Sequence, residues 1–178
     1  MLAAVPAPVE AAPADGWRAR LHLTLGPRAG RTRVAAAGHR GPLRIQRPFH
    51  PEPDGAAHVV VLHPLGGLVG GDRVGVDVRV REGGRALLTT PGATKVYRTA
   101  GPSVTQRVHL HVEAGAFLEH VPQETVVVDG ADASFATRVD LAEGACFLGW
   151  EVLCLGRPAC RERFSRGCVR PRLEVHRA

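Results

Sequence analysis

Between Val74 and Val80 every second residue is valine, in the run V74-G-V-D-V-R-V80. A period of two places those valines on one side of an extended chain and Gly75, Asp77 and Arg79 on the other. The pattern returns in T105-Q-R-V-H-L-H-V112, with Val108, Leu110 and Val112 on one side, and in F135-A-T-R-V-D-L141. W17-R-A-R-L-H-L-T-L25 alternates in part, and T32–G38, P42–R47, H58–L62 and T125–D129 supply shorter candidates. Glycine (21 residues) and proline (14 residues) interrupt these runs too often for long helices. The chain therefore reads as mainly β with few short helices.

A faint repeat accompanies the strands. R81-E-G-G-R-A-L-L88, E113-A-G-A-F-L118 and A142-E-G-A-C-F-L148 each turn at a glycine and return as an apolar segment. Aligning Ala86, Ala116 and Cys146 gives two equal spacings. Stacked β layers produce such a repeat, and so does a sandwich of successive hairpins. At 178 residues one domain is the simplest division, here residues 17–178 behind a flexible Ala/Pro-rich tail over residues 1–16. Aromatics are 4% of the chain, which leaves the core to Val, Leu and Ala.

A net charge of +6, carried by arginine with Lys95 the one lysine, admits an acidic partner or nucleic acid without naming either. No apolar run approaches the length of a membrane span. Cys146, Cys154, Cys160 and Cys168 form no CxxC pair, and a cytoplasmic protein with reduced thiols is the simpler reading.

Directly after the apolar run ending at Leu62 stands H63-P-L-G-G-L-V-G-G-D72. A phosphate cradle would need a helix to follow, with a GK[ST] or GxGxxG pattern, and an alternating valine strand follows instead. Gly66, Gly67, Gly70 and Gly71 read better as backbone turns, with Leu68 and Val69 packing between them and Asp72 capping the turn. His63 reads as an orienting histidine before a ligand.

The nine histidines form no HExxH, and H109-L-H111 puts two rings on one strand face, where a metal would need a third ligand from elsewhere. E119-H-V-P-Q-E124 offers carboxylates and a histidine, but there is no G-x-S-x-G elbow. A metal-dependent hydrolase is accordingly the weakest functional class. R161-E-R-F-S-R-G-C-V-R-P-R172 is the strongest basic patch in the linear sequence, compatible with a solvated face, an acidic partner, or a basic β-rich RNA-binding module.

Four stretches considered together are more specific. H63–D72, L88-T-T-P-G-A-T-K-V-Y-R98, V121-P-Q-E-T-V-V-V-D-G-A131 and F147-L-G-W-E-V-L-C-L-G-R157 closely resemble, in order and spacing, the UreD (UreH) urease accessory family, from about Trp17 to the end. Leu65 stands where the family pattern has a second proline, Val96 where phenylalanine is frequent, and His120 where an aromatic residue is expected. Family members also run longer, which implies that this chain lacks a C-terminal portion.

The resemblance implies a non-enzymatic, cytoplasmic urease maturation chaperone with a largely β, superhelical fold. It implies a complex with the urease structural subunits and the accessory proteins UreF and UreG, one of them a GTPase, without membrane or nucleic acid. It implies no stably bound cofactor, with nickel as transient cargo. On the matching positions, Gly66, Gly67, Gly70, Gly71, Asp72, Pro91, Lys95, Tyr97, Gln123, Trp150, Glu151 and Arg157 are expected to maintain turns, an internal polar route and partner contacts. Glu124, Asp129 and His63 are the candidates for transient nickel contact.

Overall fold

A computed structural model describes residues 16–178 and resolves the alternating runs into coils of parallel β-structure. In chain order the strands are β1 (Arg18–Arg28), β2 (Arg31–Arg40), β3 (Arg44–Ile45), β4 (Ala57–Leu62), β5 (Arg73–Val80), β6 (Arg85–Thr89) and β7 (Thr94–Val96). They continue as β8 (Val104–Val112), β9 (Phe117–His120), β10 (Thr125–Val127), β11 (Ala131–Leu141), β12 (Cys146–Gly149), β13 (Leu153–Leu155) and β14 (Gly167–Arg177). One 3-10 turn, Pro158–Cys160, interrupts them.

Each of three full coils, β5-β6-β7, β8-β9-β10 and β11-β12-β13, contributes one strand to each of three sheets. A six-stranded sheet runs β14-β11-β8-β5-β1-β2, a five-stranded sheet β12-β9-β6-β4-β3, and a three-stranded sheet β13-β10-β7. All pairings are parallel except β1 with β2 and β3 with β4. The structure thus selects stacked, superhelical layers over a sandwich of successive hairpins, because each strand pairs with the equivalent strand of the next coil. The tail expected over residues 1–16 lies outside the described residues apart from Gly16, which packs against Gly71.

Register explains the composition. Leu21, Val76, Val108 and Thr137 pair in succession across the large sheet, and Leu23, Val78, Leu110 and Val139 form the next inward row. Leu110, Val78 and Val139 are fully buried. Because the inward rows stack mostly aliphatic side chains, broken at Gln106, Phe135 and Thr137, a coil this small closes with few large aromatics. The equal spacing of Ala86, Ala116 and Cys146 needs correction. The structural equivalents are Ala86, Leu118 and Phe147, separated by thirty-two and twenty-nine residues, because the turn from β7 to β8 is longer than that from β10 to β11.

Leu110→Ala removes a fully buried side chain from the centre of the inward row. It is expected to lower unfolding free energy by about 2–5 kcal/mol, measured by the shift of a urea-denaturation midpoint.

Candidate functional site

The four sequence motifs occupy the same corner of successive coils. H63–Leu68 leads out of β4, Thr89–Thr94 joins β6 to β7, Val121–Thr125 joins β9 to β10, and Trp150–Leu153 joins β12 to β13. Hydrogen bonds tie each corner to the next. Leu68 N–H donates to Lys95 O (2.7 Å), Thr94 N–H to Glu124 O (3.0 Å), and Thr125 N–H to Val152 O (2.8 Å). Gln123 N–H donates to Thr90 Oγ1 (3.0 Å), and the exposed indole of Trp150 donates through Nε1 to Pro122 O (3.2 Å). A motif recurring about once per coil becomes a column of touching turns.

At the base of that column stand Gly66, Gly67, Gly70 and Gly71, between β4 and β5. Leu68, 1% exposed, bridges to Val96 as a one-residue extension of the three-stranded sheet. Gly67 has φ +156°, and a Cβ there would stand 2.5 Å from the Tyr97 ring and 2.8 Å from Lys95 O. Only a residue without a side chain permits that approach. Gly70 lies against Pro102 O, and Gly66 and Gly71 both have positive φ. Asp72 is buried and caps the stretch, its carboxylate accepting from Val69 N–H (2.9 Å) and Trp17 N–H (2.7 Å).

Beneath the column lies a cavity of about 360 Å³. Its polar lining includes His63, Lys95, Gln106, His120, Gln123 and Glu151, set among Leu43, Leu68, Leu88, Pro91, Val108 and Phe135. Burial pushes the His63 imidazole down in pKa, opposed by the charge of Asp72. It lowers His120 further, to about 4. Desolvation therefore keeps both rings neutral near pH 7, the protonation state in which imidazole offers a lone pair. Glu151 accepts a short hydrogen bond from the buried Thr137 hydroxyl.

The three candidate nickel contacts part company here. His63 borders the cavity. Glu124 is exposed on the adjoining turn and contributes its backbone carbonyl to the ladder. Asp129 is 8% exposed and already engaged. Its Oδ1 accepts from Ser165 N–H (2.7 Å), Ser165 Oγ–H (2.9 Å) and Arg166 N–H (2.9 Å), which holds the carboxyl well below the usual carboxylate range. A metal at Asp129 would have to displace those donors.

Asp129 and Arg157 belong to one cluster at the next corner. Glu162 accepts Asp129 N–H (2.9 Å) through Oε1 and pairs with the Arg157 guanidinium through Oε2. Arg98 donates through Nε to Asp129 O (3.3 Å). Glu162 was visible in the sequence only as a negative charge within a basic run. Gln106 and His120 were also missed as cavity residues. Gln106 shares the inward phase of Val104 and Val108, and that misplaced polarity was the available signal.

The basic run over 161–172 does not form one patch. Arg166 turns to Asp129 (3.2 Å), while Arg170 and Arg172 stand on the outer face of β14. Register there continues the row of Arg170 through Ser134 and Thr105 to Arg73 and Arg18, and that of Arg172 through Ala136 to Arg107, Gly75 and Arg20. Arg170 and Arg172 thereby join Arg18, Arg20, Arg73 and Arg107 on one sheet face.

Residues 17–178 match the family described as UreD urease accessory protein. The chain belongs to that family. Urease accessory protein UreD of Delftia acidovorans is 48% identical over 99% of this chain and 59% of its own length. Urease accessory protein UreD 2 of Brucella anthropi is 48% identical over 91% of the chain and 59% of its own, and UreD of Pseudomonas putida 47% over 90% and 57%. The chain thus spans about three-fifths of the length of these UreD relatives. The family and these relatives share the description of urease accessory protein. Among the described residues, no helix is long and apolar enough to cross a membrane.

Buried His120 gives this UreD corner a pH signature. Its pKa is about 4 folded and 6.5 as the reference for the unfolded chain. Below pH 6.5 the unfolded state takes up a proton that the folded state refuses, so its stability contribution falls until pH 4. At about 1.4 kcal/mol per unit the loss is about 3 kcal/mol. His120→Phe should flatten that part of the stability–pH curve, read by urea denaturation from pH 7 to pH 4.

Proposed function

We propose that this protein is a non-enzymatic urease maturation factor, a cytoplasmic scaffold that assists nickel insertion into apo-urease together with UreF and the GTPase UreG. The observation that carries the reading is family membership along the whole of residues 17–178, coincident with the stacked motif corner. Nickel is cargo in this reading.

The geometry is suited to such a role. The corner combines exposed groups, Tyr97 and Trp150 among them, with a cavity that carries two neutral imidazoles, two amides and a carboxylate. Neutral imidazole and carboxylate are both ligands that nickel accepts. His63 is the residue assigned to transient nickel contact, since it borders the cavity and its ring makes no hydrogen bond among the described residues. Glu151, which also borders the cavity, would act as a carboxylate across the same space once released by Thr137.

The test is urease activity in cells carrying the urease structural subunits and the other accessory proteins, with this chain supplied or omitted at matched expression. Activity that depends on the chain is the expected result. Absence of rescue by both this chain and a longer form, in cells where an established UreD restores activity, would contradict the proposal. At limiting nickel, His63→Gln is expected to reduce activation several-fold while leaving the amount of soluble chain unchanged.

A further inference from the structure

On the outer face of the six-stranded sheet, remote from the motif corner, Asp77 of β5 pairs in register with His109 of β8, and Asp140 of β11 with His111. Residues two apart on a strand share a face, and neighbouring parallel strands lie about 4.8 Å apart. His109, His111 and a carboxylate from either side therefore converge. Asp77 Oδ2 is 3.9 Å from His109 Nδ1 and 3.7 Å from His111 Nε2. One donor atom from each of the three residues lies within 4.8 Å of the other two.

We propose that Asp77, His109 and His111 form a binding site for a divalent first-row transition ion. Donors at about 2.0–2.2 Å from a tetrahedral ion stand about 3.3 Å apart. The distances to Asp77 exceed that by less than an ångström, within reach of small rotations of side chains 23–43% exposed.

Asp140 completes the arrangement without being a ligand. Its Oδ2 is 2.5 Å from His109 Nε2, on the far side of the ring from Asp77. A proton held on Nε2 leaves the Nδ1 lone pair on the Asp77 side, the carboxylate–imidazole–metal relationship of protein metal sites. Arg138 fixes Asp140 in turn through Nε (2.9 Å) and Nη2 (2.8 Å). A further nearby cation, Arg79, is drawn to Glu113 (3.2 Å).

Two imidazoles and one carboxylate favour a transition ion over magnesium or calcium, which prefer all-oxygen sets. Three protein ligands leave a position for water or an exchanging ligand. The site does not rest on the urease reading, because its ligands lie on the sheet face away from the cavity.

The test is titration of the metal-free full chain with Zn²⁺ alone, and separately with Ni²⁺ alone, against a chromophoric chelator. One equivalent should be lost in the His109→Gln/His111→Gln variant. Asp140→Asn, a positioning change, should retain that equivalent with affinity weakened about 10–100-fold. In the unaltered protein, ¹⁵N resonances of His109 Nδ1 and His111 Nε2 should shift on Zn²⁺ addition. Unchanged stoichiometry and affinity in the double variant, with an unchanged circular dichroism spectrum, would overturn the site. So would metal shifts confined to other histidines.

Discussion

Parallel pairing between successive coils requires every coil to bring its chain back into register with the one before. The row Leu23, Val78, Leu110 and Val139 survives only if intervening turns lengthen or shorten without changing which face each strand turns inward. A slip of one residue would exchange Leu110 for His109 or His111 on the inward side. The turns that carry the chain from β4, β6, β9 and β12 lie within the four family motifs.

From that constraint comes the stacking of the motif corner. Side-chain and backbone groups some thirty residues apart become direct neighbours, as Gln123 does with Thr90 and Trp150 with Pro122. The same stacking places a cavity at the corner, bordered by Gly66, Gly67 and the turns above them. On the outer face, register gathers arginines at one end of the large sheet and the His109–His111 cluster at the other. Linear charge runs conceal both.

Much of the fold was legible as alternation. The strands around Val74–Val80, Thr105–Val112 and Phe135–Leu141 follow from period two alone, as does Gln106 pointing inward. Lateral order was less legible. Ala116 resembles Ala86 in its local sequence, yet Leu118 is its partner, because coil length depends on turns whose backbone paths composition does not specify. The site was legible as motifs and not as geometry. Asp129 looked like an available carboxylate, but Ser165 and Arg166, more than thirty residues away, fold back to bind it. His63 gave the opposite lesson, since burial beside the glycine turns places it on the cavity as a neutral ring.

The stacked corner is tested most directly by a thiol cross-link. Val126 pairs in register with native Cys154, on adjacent strands of the three-stranded sheet. In a Val126→Cys chain, a short thiol–thiol cross-linker should join positions 126 and 154, identified by mass spectrometry of the digested product. Val127→Cys, whose side chain turns into the core, should not give that product. A Val126→Cys chain that joins Cys146 or Cys168 instead, or a Val127→Cys chain that reacts as readily with Cys154, would contradict the coil register and the corner built on it.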